Sequence, residues 1–307
     1  MILSVSRRTD IPAFYMDWFL NRLQVGWVLV RNPFNPSRVS RVSLNPSVVE
    51  CLVFWTKNPE PMLARLHELP RNFYIQYTLH DYGPEIESQL PSLARRLEIF
   101  EELSARLGPE RLVWRYSPVI MSACYTPDYH IRTFARLAER LTGHTRQCHL
   151  SFLDIYSKIA ARMRAIGVIN TVEEEKIILA RRLNELSVQY GITLSACGNP
   201  ELQLAGLSLS SCIDGELIQK ITGQAMRLKK DANQRPVCNC AESIDIGSYQ
   251  TCLNGCAYCY ATHSHDAVSR KAGHYDPESP FLCDSEKPGD IITDRKIAVH
   301  GGQRLWL

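Results

Sequence analysis

Near the carboxyl end, Cys252-Leu-Asn-Gly-Cys256-Ala-Tyr258-Cys259-Tyr260 sets three thiols at the spacing C-x3-C-x2-C. On one tight loop all three can turn inward and hold three corners of a four-iron cluster. The fourth iron is then left without a protein ligand. An iron with an open position can bind and activate a molecule, whereas a fully thiolate-ligated cluster passes electrons. Two other arrangements use the same residues. Cys238, Cys240 or Cys283 as a fourth ligand would close the cluster, and His263 or His265 would complete a Cys3His zinc tetrahedron. An aromatic residue directly before the third cysteine is unnecessary for zinc, so the open [4Fe–4S] cluster leads.

The chain has eleven cysteines, 45% hydrophobic residues and a net charge of +3. The opening Met-Ile-Leu-Ser-Val-Ser-Arg-Arg puts apolar residues before charges, the reverse of a secretory leader. No long apolar run predicts a membrane span. The expected location is cytoplasmic, where thiols stay reduced and crowded cysteines point to metal. Cys51, Cys124 and Cys148 are expected as buried thiols. The others crowd the last third. Among them Cys197, Cys212, Cys238 and Cys240 are candidates for an auxiliary metal site, a second iron–sulfur cluster or zinc. Cys238-Asn-Cys240 suits one metal directly.

The elements that must position these residues alternate along the first two hundred positions. Strands are predicted at 2–6, 50–55, 73–79, 112–117, 147–153 and 192–196. Several are continuous apolar runs, as strands buried on both faces are. Helical patterns lie at 14–23, 60–67, 86–107, 129–141, 155–166 and 172–190. Gly108-Pro109 ends the third, and Thr171 with Glu174 reads as a capping box before the last. A hairpin at 27–31 and 38–44 interrupts the alternation. The pattern predicts an α/β fold: a full or partial (β/α) barrel of TIM type over 1–228, then an irregular, cysteine-rich iron–sulfur segment over 229–307 packed on the barrel mouth. No Gly-x-Gly-x-x-Gly follows the first strand and there is no Walker A sequence, so nothing supports a dinucleotide or P-loop reading.

Barrel chemistry sits where strands end. The polar residues there are Arg7, Arg8 and Asp10, then Lys57, His80, Asp154, and Asn199 with Glu201. Arg115 lies within an apolar strand and needs a partner. Adjacent arginines such as Arg7 and Arg8 suit a carboxylate or phosphate. Asp10, Lys57, His80 and Asp154 are candidates for catalysis or substrate binding.

Cys252-x3-Cys256-x-Tyr258-Cys259 resembles the cluster signature of the radical S-adenosylmethionine (SAM) superfamily. The whole chain resembles a prokaryotic domain-of-unknown-function family with a radical-SAM-like cysteine cluster at its carboxyl end. The matching stretches are Ser4-Val-Ser-Arg-Arg-Thr-Asp10, Phe54-Trp-Thr-Lys-Asn-Pro59, Tyr77-Thr-Leu-His80 and Asp245-Ile-Gly-Ser-Tyr249. The resemblance implies a [4Fe–4S] cluster on Cys252, Cys256 and Cys259, SAM bound to the open iron, and Tyr258 packed near the cluster and the adenine. It also implies an external reductant such as flavodoxin or ferredoxin. Arg7, Arg8 and Arg115 become candidates for contact with SAM. The signature usually follows the first strand; here it comes late, and no Gly-Gly-Glu follows a second strand. A tail folded back over the barrel mouth would restore the arrangement.

Two rival functions use the same residues. One is an iron–sulfur electron-transfer protein without SAM. The other is a zinc-stapled nucleic-acid binder, with Tyr258 and Tyr260 stacking bases and Lys229, Lys230 and Arg235 meeting phosphates. The mild net charge disfavours a nucleic-acid partner.

Overall fold

The computed structural model describes residues 1–298 and 300. In chain order the main elements are β1 (Ile2–Val5), α1 (Ile11–Phe14), α2 (Met16–Val25), β2 (Trp27–Arg31), β3 (Arg38–Ser43), β4 (Cys51–Thr56), α3 (Glu60–Leu63) and β5 (Phe73–Thr78). Then follow α4 (Leu93–Leu107), β6 (Leu112–Val119), α5 (Pro127–Arg140), β7 (Gln147–Phe152), α6 (Ser157–Ala165), α7 (Glu173–Gln189) and β8 (Thr193–Ala196). The last are β9 (Ser208–Leu209), α8 (Gly215–Thr222), β10 (Ile244–Asp245), α9 (His265–Ala272) and β11 (Ile291–Asp294).

Eight strands form one parallel sheet in the order β10-β1-β4-β5-β6-β7-β8-β9. From β1 to β9 this order follows the chain without reversal, so every crossover steps to the next neighbour. The last strand, β10, returns to the free side of β1, pairing Leu3 with Ile244 and Ser4 with Asp245. Among the described residues β9 and β10 are the two edges and do not pair.

Both faces of the sheet are covered, which is why β4 is buried at every position and reads as an unbroken apolar run. One face, including Leu3, Phe54, Ile75 and Trp114, packs on apolar residues of α2, α4, α5 and α7. Residues one step along the strands, Ile2, Val53, Tyr74 and Val113, face the other way, onto Cys212, Ile213, α8 and Cys240. Each large apolar side chain buried this way stabilises the fold by roughly 1.5–3 kcal/mol. The hairpin forms as expected: β2 and β3 pair antiparallel, and β11 joins β3 in parallel. Among the described residues no helix is long and apolar enough to cross a membrane.

Three local expectations fail for identifiable reasons. The helix expected over 86–107 begins at Leu93, because Pro91 interrupts the pattern and Ser92 accepts the Arg95 N–H at 3.3 Å as its cap. The seven residues released become an irregular segment that shapes the site. It does end as expected, at Gly108, whose φ of 87° suits glycine. The Thr171–Glu174 box does not form. Helix α7 starts at Glu173, and the preceding Val172 has no side-chain acceptor. Cys51 and Cys148 are buried, but Cys124 is exposed, in the turn between β6 and α5.

Candidate metal centre

The cysteine loop is closed at its base and clamped on three sides. Gln250 N donates to Ala261 O at 3.0 Å, and His263 N donates to Gln250 Oε1 at 2.8 Å. Gly255 takes a φ of 69°, and a Cβ there would lie 2.2 Å from Ser88 Oγ. Only glycine combines that backbone conformation with so close an approach. The irregular segment before α4 lies against this turn: Gln89 N donates to Asn254 O at 3.3 Å, and Ala257 N to Ile86 O at 2.8 Å. From α6, Arg162 donates to Cys259 O at 3.1 Å and Thr262 O at 2.9 Å. Tyr15 holds the entry to the loop through Thr251 O at 2.5 Å.

Beneath the loop are the carboxyl ends of β1, β4 and β5. Asp10 is buried at the start of α1. Its carboxylate accepts from Ala13 N at 3.1 Å, Lys57 N at 2.8 Å and Asn254 Nδ2 at 2.8 Å. Glu87, also buried, accepts from Lys57 Nζ at 2.6 Å and from the Tyr258 hydroxyl at 2.5 Å. His80 Nδ1 lies 3.7 Å from the same carboxylate. Burial opposes the charge on Glu87, but Lys57 and His80 hold its pKa well below the usual carboxylate range. Burial pushes His80 down to about 4, so its ring is neutral near pH 7. Lys57 Nζ stands 5.4 Å from the centre of the Tyr258 ring, a cation–π contact.

The three thiols are free of disulfides and half-buried, and each is within electrostatic reach of the others. Burial pushes Cys252 up to about 12 and Cys256 well above the ordinary thiol range. Among the described residues no three His, Cys, Asp or Glu side chains are closed into a ready metal cage. The donor set nonetheless suits an iron–sulfur cluster: three sulfurs on one loop, while hydrogen bonds to its backbone come from outside it.

Of the strand-end candidates, Asp10, Lys57 and His80 therefore meet under the loop. Arg7 and Arg8 do not join them. The carboxylate they suit is internal, Asp245 on β10, at 3.9 Å from Arg7 and 3.8 Å from Arg8. Asp245 also accepts from Ser4 Oγ at 2.9 Å, Ser6 Oγ at 2.6 Å and Arg7 N at 2.8 Å, which fixes β10 against β1. Arg8 stacks on Tyr249 and borders a cleft of about 840 Å³, shared with Lys158, Tyr260, His263 and Lys271. Asp154 pairs with Arg235 at the rim of this cleft. Arg115 meets a thiol, Cys212, at 3.2 Å. Asn199 is buried and accepts from Phe152 N at 3.0 Å, and its own amide donates to Glu201 at 2.8 Å. Cys238 and Cys240 are drawn to Cys212 rather than to the loop, and Cys283 lies beside Tyr15.

Sequence reasoning missed Glu87, Asn254, Arg162 and Asp245. Pro91 is the signal that would have released Glu87 from the expected helix. Asn254 stands inside the cysteine motif itself.

Fold and site together define an α/β protein with an eight-stranded parallel sheet and a cysteine loop docked over its strand ends. The chain belongs to the family described as Domain of unknown function (DUF1848), whose model matches residues 2–261. No curated protein and no solved structure matches it.

Proposed function

We propose that this chain is a radical SAM-type enzyme in which Cys252, Cys256 and Cys259 hold a [4Fe–4S] cluster. The observation that carries the reading is the clamp on the cysteine loop. Asp10, Glu87, Ser88, Gln89 and Arg162 hold its backbone and its aromatic residue from outside. None of the three sulfurs is in a disulfide. Bound there, a cluster with one open iron offers a seat for the methionine end of SAM and the electron that opens its sulfonium.

The chain's own residues then have separable tasks. Asp10 fixes the loop through Asn254 and fixes Lys57 through its backbone. Glu87 orients Tyr258 and neutralises Lys57 beside it. Arg162 pins the carbonyl of the third cysteine. The cleft next to Cys259 carries Arg8, Lys158 and Lys271 beside Tyr249 and Tyr260, a lining that suits an anionic ligand with a flat ring. Its volume is within the range of small-molecule sites. In this reading the parallel sheet is a (β/α) barrel left open between β9 and β10, with the cysteine loop on its mouth. A flavodoxin- or ferredoxin-type reductant supplies the electron.

Anaerobic reconstitution with iron and sulfide, followed by reduction with SAM present, tests the proposal. The expected products are 5′-deoxyadenosine and methionine, absent from a Cys256→Ala variant. A fully loaded cluster whose EPR signal is indifferent to SAM overturns the proposal and favours simple electron transfer.

A further inference from the structure

Four thiols outside the loop converge on the inner face of the sheet. Cys197 follows β8, Cys212 follows β9, and Cys238 and Cys240 precede β10. Cys197 Sγ lies 3.3 Å from Cys212 Sγ. Cys212 and Cys240 belong to one buried cluster, and Cys197 and Cys238 pack against it. Ile213 N donates to Cys240 Sγ at 3.4 Å, and Ala241 N to Ile213 O at 3.0 Å, so the backbone holds two of the strands' extensions together here. None of the four is in a disulfide.

One cation beside these thiols, Arg115, has no matching carboxylate among the described residues. Arg115 donates to Cys212 Sγ at 3.2 Å and to Ser117 Oγ at 3.4 Å, and its Nε is buried with no partner. Arg7, just past β1, is already paired with Asp231 and Asp245, each at 3.9 Å. His149, 2% exposed and beside Cys212, has an Nδ1 without a hydrogen bond. A guanidinium removed from water needs negative charge nearby, and neutral thiols carry none.

We propose that Cys197, Cys212, Cys238 and Cys240 are the ligands of a second, all-thiolate metal centre, separate from the cysteine loop. Four thiolates around one divalent thiophilic ion carry two net negative charges. Arg115, which donates to Cys212, offsets part of that charge. On binding, each thiol releases its proton to solvent and no electron is exchanged. Zinc–sulfur bonds of about 2.3 Å in a tetrahedron set neighbouring sulfurs roughly 3.8 Å apart. The Cys197–Cys212 pair then opens by roughly 0.5 Å, within the reach of side-chain rotation.

The inference does not depend on the function proposed above, and the test keeps them apart. The full chain carrying Cys252→Ala, Cys256→Ala and Cys259→Ala is purified anaerobically, and its zinc, iron and acid-labile sulfide are measured. One zinc or iron per chain without sulfide supports the second centre, and four irons with sulfide overturn a single tetrathiolate ion. Adding Cys212→Ser is expected to remove nearly all of that metal. Should that variant fold poorly, X-ray absorption on the triple variant counts the ligands instead, and four sulfurs are expected. A metal-free triple variant, fewer than four sulfurs, or metal retained unchanged by folded Cys212→Ser protein overturns it.

Discussion

Asn254 Nδ2 donates to Asp10 Oδ2 at 2.8 Å, tying the cysteine loop to the cap of the first helix. The same oxygen accepts Lys57 N. One buried atom therefore joins segments following β1, β4 and β10. Removing a partner of a buried, charge-assisted hydrogen bond costs about 1–3 kcal/mol. Asp10→Ala and Asn254→Ala are both expected to lower unfolding free energy in urea by that order, Asp10→Ala more. The double variant should lose less than the sum, because the pair is broken only once. Strict additivity would show that the contact contributes nothing.

Arg162 is expected to govern cluster retention rather than global stability. Arg162→Ala removes the donor to the carbonyls of half-buried Cys259 and buried Thr262. The third thiol then loses its tether. A loss of about 1.4 kcal/mol in loop order corresponds to roughly tenfold faster iron release to a chelator. The circular dichroism of Arg162→Ala protein should stay unchanged. Equal release rates would remove Arg162 from the clamp.

Gly247 permits the approach of β10 to β1. A Cβ at this position would lie 2.0 Å from Ser6 Oγ and 2.5 Å from Ser6 Cβ. Gly247→Ala must push these segments apart, at a cost of about 1–3 kcal/mol. The denaturation midpoint should fall, and Arg7 and Arg8 should lose their common anchor. A midpoint equal to wild type would mean that the segment shifts freely.

His130 predicts a pH dependence. Its Nε2 lies 2.9 Å from Ile120 O and its Nδ1 2.9 Å from the Tyr116 hydroxyl. The carbonyl can only accept, so Nε2 carries the proton, and Nδ1 accepts from tyrosine. Burial lowers the pKa of His130 from 6.5 to about 4. Between those values the unfolded ring binds a proton that the native ring does not. The contribution is whole above pH 6.5 and declines as pH falls toward 4, by ~1.4 kcal/mol per pH unit. His130→Gln should flatten the acid limb of the stability profile by about one proton across that window. An unchanged slope would place the proton uptake elsewhere.

Most of the main sheet was legible because its strands are buried on both faces and announce themselves as apolar runs between helices. The residues of β9 and β10 were not. Two residues carry no periodicity, and their pairing depends on neighbours far away in sequence. The cysteine loop was legible from spacing alone, since its three thiols are local. The meeting of Cys197 and Cys212 with Cys238 and Cys240 was visible only as a shared residue type, because crossovers and not spacing bring them together. Arg115 was picked as a charge in need of a partner, and Lys57 only as a polar residue at a strand end. Their partners, a thiol and a glutamate in an expected helix, could not be read from local sequence.

The late return of β10 to β1 has a consequence for synthesis. Strand β1 pairs with β4 early, but its other side stays bare until Asp245 has been made. A nascent chain therefore carries an open parallel edge through most of translation, and a chain cut short before that point keeps it. Such edges recruit other strands. Truncated forms are accordingly expected to self-associate, and the cysteine loop, which follows β10, is made only after the sheet that carries it has been finished.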